Sequence, residues 1–294
     1  MRYLIAETII DISCSFTTIE MPLYVAFQCN YSNIEADITV DICNENVEEE
    51  YLELVQCKHL THLWKKIDKN YIMLFADRGM YLDEIPATRI WCLVGNESQK
   101  YWKLHIPYSA DYSAEELKME LENRPWLQRL FIAYCMNSNM AVLHGALCNV
   151  NGEGCLFLGD SGVGKSTMCS IIEKNYHVYA DDRIVIKLDN NQVWAYGTPW
   201  NIKNTKYCSN SEIAIKKIYF LYHGNNVITD KIPEVDTLKM IMKQILHSNV
   251  YHASELLLWK LTIAKMLWKH STVYEFGFVP DNSCIKYITG ENNE

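Results

Sequence analysis

The chain reads as an α/β protein in which a larger mixed α/β part, residues 111–294, follows a smaller strand-rich part, residues 1–110. Three observations predict this division. Through the first hundred residues, β-branched and aromatic segments are separated by Asn, Asp, Glu and Gly, as strands covering one face of a core are. From Ser113 onward helical and strand patterns interleave, the sequence form of a mixed sheet with helices laid on it. Within that second part LFLGDSGVGKSTM, Leu156 to Met168, runs from an apolar strand through a Gly-rich loop into a helix.

YLIAETIIDISCSF, YVAFQCN, ADITVDIC, IMLFAD and RIWCLVG are the predicted strands of the first part, while VEEEYLELVQCKHLTHLWKKI fits a helix or a strand. Ser113 with Glu116 three residues on has the form of a capping box, so a helix starts there. A second helix follows in PWLQRLFIAYCMNSNM, Pro125 being tolerated at a first helical turn. AVLHGALCNVNGEGCLFLGD reads as two apolar strands around Asn151-Gly152, the strongest short hairpin signal in the chain. After the loop come a helix (STMCSIIEK), strands in HVYADDRIVIKL, VWAYG and KKIYFLYH, a helical region from about Thr237 to Lys269, and a last strand, VYEFGFVP.

Composition narrows the function. Apolar residues at 49% and aromatics at 12% make a globular chain with ample core. The most hydrophobic helical stretch, Leu256 to Trp268, is broken by Lys260 and Lys265, and the N-terminal MRYLIAETIIDIS carries acids where a signal peptide stays apolar. A cytoplasmic protein with no membrane partner is expected. None of the 11 cysteines lies in a C-x-x-C pair, which argues against a zinc cluster and for buried free thiols. Residues 1–56 hold eleven acids and one base, a net −10, so the rest of the chain carries +1 of the total of −9; this acidic stretch repels nucleic acid and attracts a basic partner, or is only a solvated surface.

The stretch Gly159-Asp160-Ser161-Gly162-Val163-Gly164-Lys165-Ser166 satisfies G-x-x-x-x-G-K-[ST], and Thr167 carries it into the helix. Glycines let the backbone fold so that successive N–H groups point at phosphate oxygens. The helix N-terminus adds positive potential, Lys165 neutralises the β and γ phosphates, and Ser166 is placed to ligate Mg²⁺. ATP or GTP with Mg²⁺ is therefore expected. Fifteen residues after Ser166 comes Asp181-Asp182, so one short helix and one strand return the chain to the loop. Two adjacent acids there offer two tasks, holding Mg²⁺ and taking a proton from an incoming hydroxyl. Neighbouring strand residues face opposite sides, so both serve only if the chain bends. A solvated turn with a salt bridge to Arg183 is the competing reading. His144-Gly145 is expected on the strand paired with the one that feeds the loop, which brings the imidazole to the nucleotide, although a lone His is more often structural. In Gly197-Thr198-Pro199-Trp200, Pro199 restrains Thr198 to an extended form; Thr198 and Trp200 read as substrate contacts or as plain core.

LHGALCNVNGEGCLFLGDSGVGKST followed by HVYADDRIVI closely resembles the HPr kinase/phosphorylase catalytic domain and, more distantly, the ATP-dependent phosphoenolpyruvate carboxykinases. The likeness is strong over residues 141–188 and weak onward to the final strand. It implies a P-loop kinase domain of HPr-kinase/PEP-carboxykinase type and an ATP-dependent protein serine kinase. It further implies that Asp181 is the base, Ser166 and Asp182 lie at the metal, Lys165 and the loop hold the triphosphate, and His144 lies near the reacting phosphate. The Arg-Gly-x-Gly-rich signature of the bacterial HPr enzymes has no counterpart, and the N-terminal part is unlike that of HPr kinase. With Gly197-Thr198-Pro199-Trp200 and the later IKKIYFLYH strand, the chain looks like the HPr-kinase-related proteins found with ribosomal peptide modification systems, including kinases of a Ser in lasso-peptide precursors. The expectation is a kinase of a Ser or Thr hydroxyl on a ribosomal peptide precursor, with residues 1–110 in substrate recognition. A kinase of a small molecule such as free serine, a nucleotide-binding regulatory protein without transfer, and a simple NTPase are the alternatives. A nucleoside triphosphate and a peptide are the expected partners, and a homo-oligomer stays open.

Overall fold

A computed structural model describes the chain apart from residues 15, 17–20, 46, 48–50, 52, 54–59, 61, 68, 77–79, 87–88, 97, 99, 108–112, 190, 202–204, 225–226, 230–231, 249–251 and 290–294. Two compact units emerge, Met1–Tyr134 with Ser248–His252, and Cys135–His247 with Ala253–Glu294. The helices that follow Ser113 cluster with the first unit, whereas the sequence reading grouped them with the second.

Among the described residues seven strands make the sheet of the first unit: β1 (Arg2–Ile5), β2 (Thr8–Cys14), β3 (Ile38–Cys43), β4 (His62–Ile67), β5 (Asn70–Phe75), β6 (Trp91–Gly95) and β7 (Tyr101–His105). Their order is β1-β2-β3-β7-β6-β5-β4, with β3 parallel to both β2 and β7. Ile38, Val40 and Ile42 on β3 are fully buried while Thr39 and Asp41 between them are not, the two-residue period of a strand. YVAFQCN is not a strand. Pro22–Phe27 forms a 3₁₀ turn, which Pro22 favours by fixing φ and lacking an N–H. The ambiguous segment before Ile67 ends as strand β4, and residues 54–59 within it lie outside the described residues. Helix α1 (Ala114–Asn123) starts with the foreseen capping box: Ser113 Oγ accepts from Glu116 N at 3.2 Å, and Glu116 Oε2 accepts from Ser113 N at 2.8 Å. Helix α2 (Trp126–Cys135) follows.

Among the described residues the second unit holds nine strands: β8 (Met140–His144), β9 (Ala146–Val150), β10 (Glu153–Leu158), β11 (His177–Ala180), β12 (Arg183–Asp189), β13 (Gln192–Tyr196), β14 (Glu212–His223), β15 (Val227–Thr229) and β16 (Thr272–Phe278). Seven run in the order β11-β9-β10-β14-β13-β12-β8, and β16 pairs β14 and β15. The ladders β10–β14 and β14–β16 are parallel. Twelve-residue β14 is the spine, since its start pairs β13 and its remainder pairs β10 and β16. Asn151-Gly152 does turn the β9–β10 hairpin, with φ of 55° and 82° as a two-residue turn requires. The run AVLHGALC, however, is two strands rather than one: β8 ends at His144 and β9 begins at Ala146.

Helices cover both faces of this sheet. On one side α3 (Lys165–Ile172) and α6 (Cys284–Thr289) bury Met168, Cys169, Ile172 and Ile288 against Cys148, Cys155, Phe157 and Phe276. On the other, α4 (Glu234–Gln244) and α5 (Ala253–His270) bury Leu238, Ile241, Ala264 and Leu267 against Leu143, Leu156, Leu158 and Ile186. A break between α4 and α5 divides the single helical region read from Thr237 to Lys269. No helix among the described residues is long and apolar enough to cross a membrane.

Phe157 has no exposed surface and stacks on Tyr219 with ring centroids 5.3 Å apart. Phe157→Ala is expected to cost about 3–5 kcal/mol, read as a lower urea midpoint at unchanged slope. All described cysteines are free thiols, and burial pushes Cys155 up to about 12 and Cys148 and Cys135 well above their ordinary value. A raised pKa keeps the neutral thiol at every pH below it, so these three stay unmodified by iodoacetamide at about pH 8.5 in the native protein and react once urea unfolds it; peptide mass mapping checks this.

Candidate active site

Strand β9 is antiparallel to both β10 and β11, so β10 and β11 run the same way. Ala146 faces Phe157 on one side of β9, and Leu147 faces Ala180 on the other. The chain therefore leaves β10 into the loop at Gly159 and leaves β11 into Asp181 at one edge of the sheet, the carboxyl edge where α/β sheets hold ligands.

Gly159, Gly162 and Gly164 take φ of 146°, 82° and 102°, a left-handed path open to glycine. Gly164 is the N-cap of α3, with no side-chain capping bond and no acid in the first turn. The first-turn amides thus face outward without a competing carboxylate, as an anion site demands. Lys165 is 6% exposed, and its Nζ donates to Gly159 O at 2.7 Å and Asp160 O at 3.0 Å, which curls the ammonium over the loop. Ser161, Ser166 and Thr167 are exposed around it, and Val163 is half-buried. Across the loop, Lys243 near the end of α4 pairs with Asp160 at 2.7 Å, and this ammonium holds the Asp160 carboxyl below the usual carboxylate range. The residues just after α4 are stitched to β8, Leu246 N donating to Val142 O at 2.9 Å.

Asp181 and Asp182 occupy a bend between β11 and β12 and are buried, 3% and 9% exposed. The chain does bend where both acids need it. The salt bridge to Arg183 also exists, Arg183 Nη1 lying 2.6 Å from Asp182 Oδ1, but in an enclosed place rather than a solvated turn. His144 Nε2 lies 3.3 Å from the same Asp182 oxygen. Its route there differs from the expected one: β8 pairs with β12, His144 opposite Arg183, and not with β10. The strand paired with β10 is β9, which begins after Gly145. Gly145 N donates to Asp182 O at 3.1 Å, and a Cβ there would lie 2.7 Å from Leu158 Cδ2 and 3.1 Å from Phe157 O. Glycine lets this crossing lie against the end of β10 without displacing either atom, and that contact carries His144 and the acid bend to the start of the loop.

Thr198 and Trp200 are enclosed, 0% and 5% exposed, so neither presents a surface to solvent. Thr198 Oγ1 donates to Arg183 O at 2.7 Å and accepts from Trp200 N at 3.3 Å. Sequence reasoning missed Asn201, whose Oδ1 accepts from the N–H groups of Asp181, Asp182 and Arg183 at 3.3, 3.1 and 3.3 Å. Its place directly after Gly197-Thr198-Pro199-Trp200 was the only signal.

The residues present fit a nucleotide and a hard cation. Uncapped first-turn amides with Lys165 suit phosphate oxygens, and the oxygen donors of Ser166, Asp181 and Asp182 suit Mg²⁺ better than a thiophilic metal.

Residues 136–207 match the HPr Serine kinase C-terminal domain family. An HPr kinase/phosphorylase of Streptococcus thermophilus is 30% identical over 153 residues, 49% of this chain and 46% of that protein. Another, of Caldicellulosiruptor bescii, is 29% identical over 115 residues, 38% of this chain and 37% of the relative. The chain spans less than half the length of these relatives. Among solved structures, the Hpr(Ser) kinase/phosphatase from Coxiella burnetii is 15% identical, covering 41% of this chain and 93% of that chain with a TM-score of 0.25. The matched span holds His144, the loop, the acid pair and Asn201, and over it the chain is similar to the HPr Serine kinase C-terminal domain.

Proposed function

We propose that the chain is a Mg-ATP-dependent kinase that phosphorylates a Ser or Thr hydroxyl, its acceptor a ribosomal peptide precursor. The observation that carries this reading is the buried bend at Asp181 and Asp182, set at the same sheet edge as the Lys165 loop. A simple hydrolase has less need of a second enclosed carboxylate there.

The loop amides and Lys165 bind and orient the triphosphate, Lys165 trading its loop carbonyls for phosphate oxygens. Asp181 accepts the hydroxyl proton as the acceptor oxygen bonds to the γ phosphorus and the bond from phosphorus to the β,γ-bridging oxygen breaks, which leaves ADP. Ser166 and Asp182 would hold Mg²⁺, which when bound neutralises charge on the phosphate oxygens. His144, anchored on Asp182, is assigned to the edge of the transferred group. The acidic excess in residues 1–56 favours a basic segment of the acceptor, and residues 1–110 are assigned its recognition. GTP is weighed as the other donor, and the reading carries no reverse phosphorylase step.

Purified protein with γ-labelled ATP is tested against candidate precursor peptides and against free serine. Labelled peptide supports the reading, labelled serine moves the acceptor to a small molecule, and phosphate release at full rate with no acceptor overturns it. Asp181→Asn is expected to lower transfer by roughly 10²–10⁴-fold while ATP affinity stays within about two-fold, since the variant keeps shape and loses only the proton acceptor. Normal transfer by that variant removes the base assignment. Lys165→Ala is expected to weaken ATP binding itself, read by titration calorimetry, at unchanged thermal stability.

A further inference from the structure

Asn201 is fully enclosed and makes five hydrogen bonds. Its Oδ1 accepts from three consecutive N–H groups, those of Asp181, Asp182 and Arg183, at 3.3, 3.1 and 3.3 Å. Its Nδ2 donates to Thr198 O at 2.9 Å and Tyr207 O at 3.3 Å. The amide can face only this way, because three donors lie on one side and two carbonyls on the other.

In a regular strand successive N–H groups point to opposite edges, so three cannot converge on one atom. Convergence requires the bend, and a backbone nest of this kind attracts anions. Here the occupant is a neutral amide oxygen. It satisfies three buried N–H groups without adding a third negative charge beside two carboxylates. Thr198 closes the other side, its hydroxyl donating to Arg183 O at 2.7 Å.

We propose that Asn201 is a positioning residue: it plugs the backbone nest at 181–183 and so sets both carboxylates toward the nucleotide edge. The proposal rests on the reading of Asp181 and Asp182 as the acid pair of a phosphoryl-transfer site. It predicts a specific defect, in metal-assisted nucleotide binding rather than in binding to the loop.

A fluorescent ATP analogue is titrated into the full chain in EDTA and again in excess Mg²⁺, with circular dichroism to check folding. In Asn201→Leu, the gain in affinity brought by Mg²⁺ is expected to shrink by roughly 10–100-fold, the scale for losing a hydrogen bond that orients a metal-holding carboxylate. Magnesium-free affinity should stay within about two-fold. If the leucine variant does not fold, Asn201→Ser replaces it with the same expectation, its hydroxyl being too short to span three amides. A folded variant that retains the whole gain overturns the proposal, as does equal loss of magnesium-free affinity, which marks a general structural role. Wild-type protein that binds no ATP, or shows no gain from Mg²⁺, instead overturns the kinase reading itself.

Discussion

The arrangement of the second unit depends on one constraint, the burial of β10 on both faces and along both edges. Cys155 and Phe157 enter the interior shared with α3 and α6, while Leu156 and Leu158 enter the one covered by α4 and α5. A strand so placed needs helices on both sides of the sheet and a paired neighbour on each edge, here β9 and β14. Its carboxyl end is consequently one of the most firmly held points in the unit. The phosphate loop springs from that end, and Gly145 brings β8 and the acid bend to rest against it.

What was legible in the sequence was local. The loop motif, the capping box at Ser113 and the Asn151-Gly152 turn each depend on residues within a few positions of one another, and each folds as its spacing says. YVAFQCN misled because its apolar alternation hid the effect of Pro22. AVLHGALC read as one strand because a single glycine marks the crossing, and the strand that pairs with His144 lies some forty residues on, at Arg183. Asn201 was illegible for the same reason: its chemistry lies in amides twenty residues earlier, and nothing in NIKNTKY distinguishes it from a loop asparagine.

The two acids of the pair have different surroundings, which suits them to different work. Asp182 shares one oxygen with the imidazole of His144 and the guanidinium of Arg183, two cationic or dipolar groups that hold it in place. Asp181 lies deeper, with 3% of its surface exposed.

The parallel ladders of β14 also bear on the order of synthesis. Leu158 at the end of β10 lies beside Phe220, and Tyr219 lies beside Tyr274, so the strand that seats the phosphate loop leaves the ribosome long after the loop does. Until then β10 presents an apolar edge with unpaired amides, the kind of surface that chaperones cover and that aggregates when left open. Non-local parallel pairing of this kind is intrinsically slow to form. A nascent chain halted before Glu212 would carry every residue of the nucleotide motif and have no floor on which to hold it.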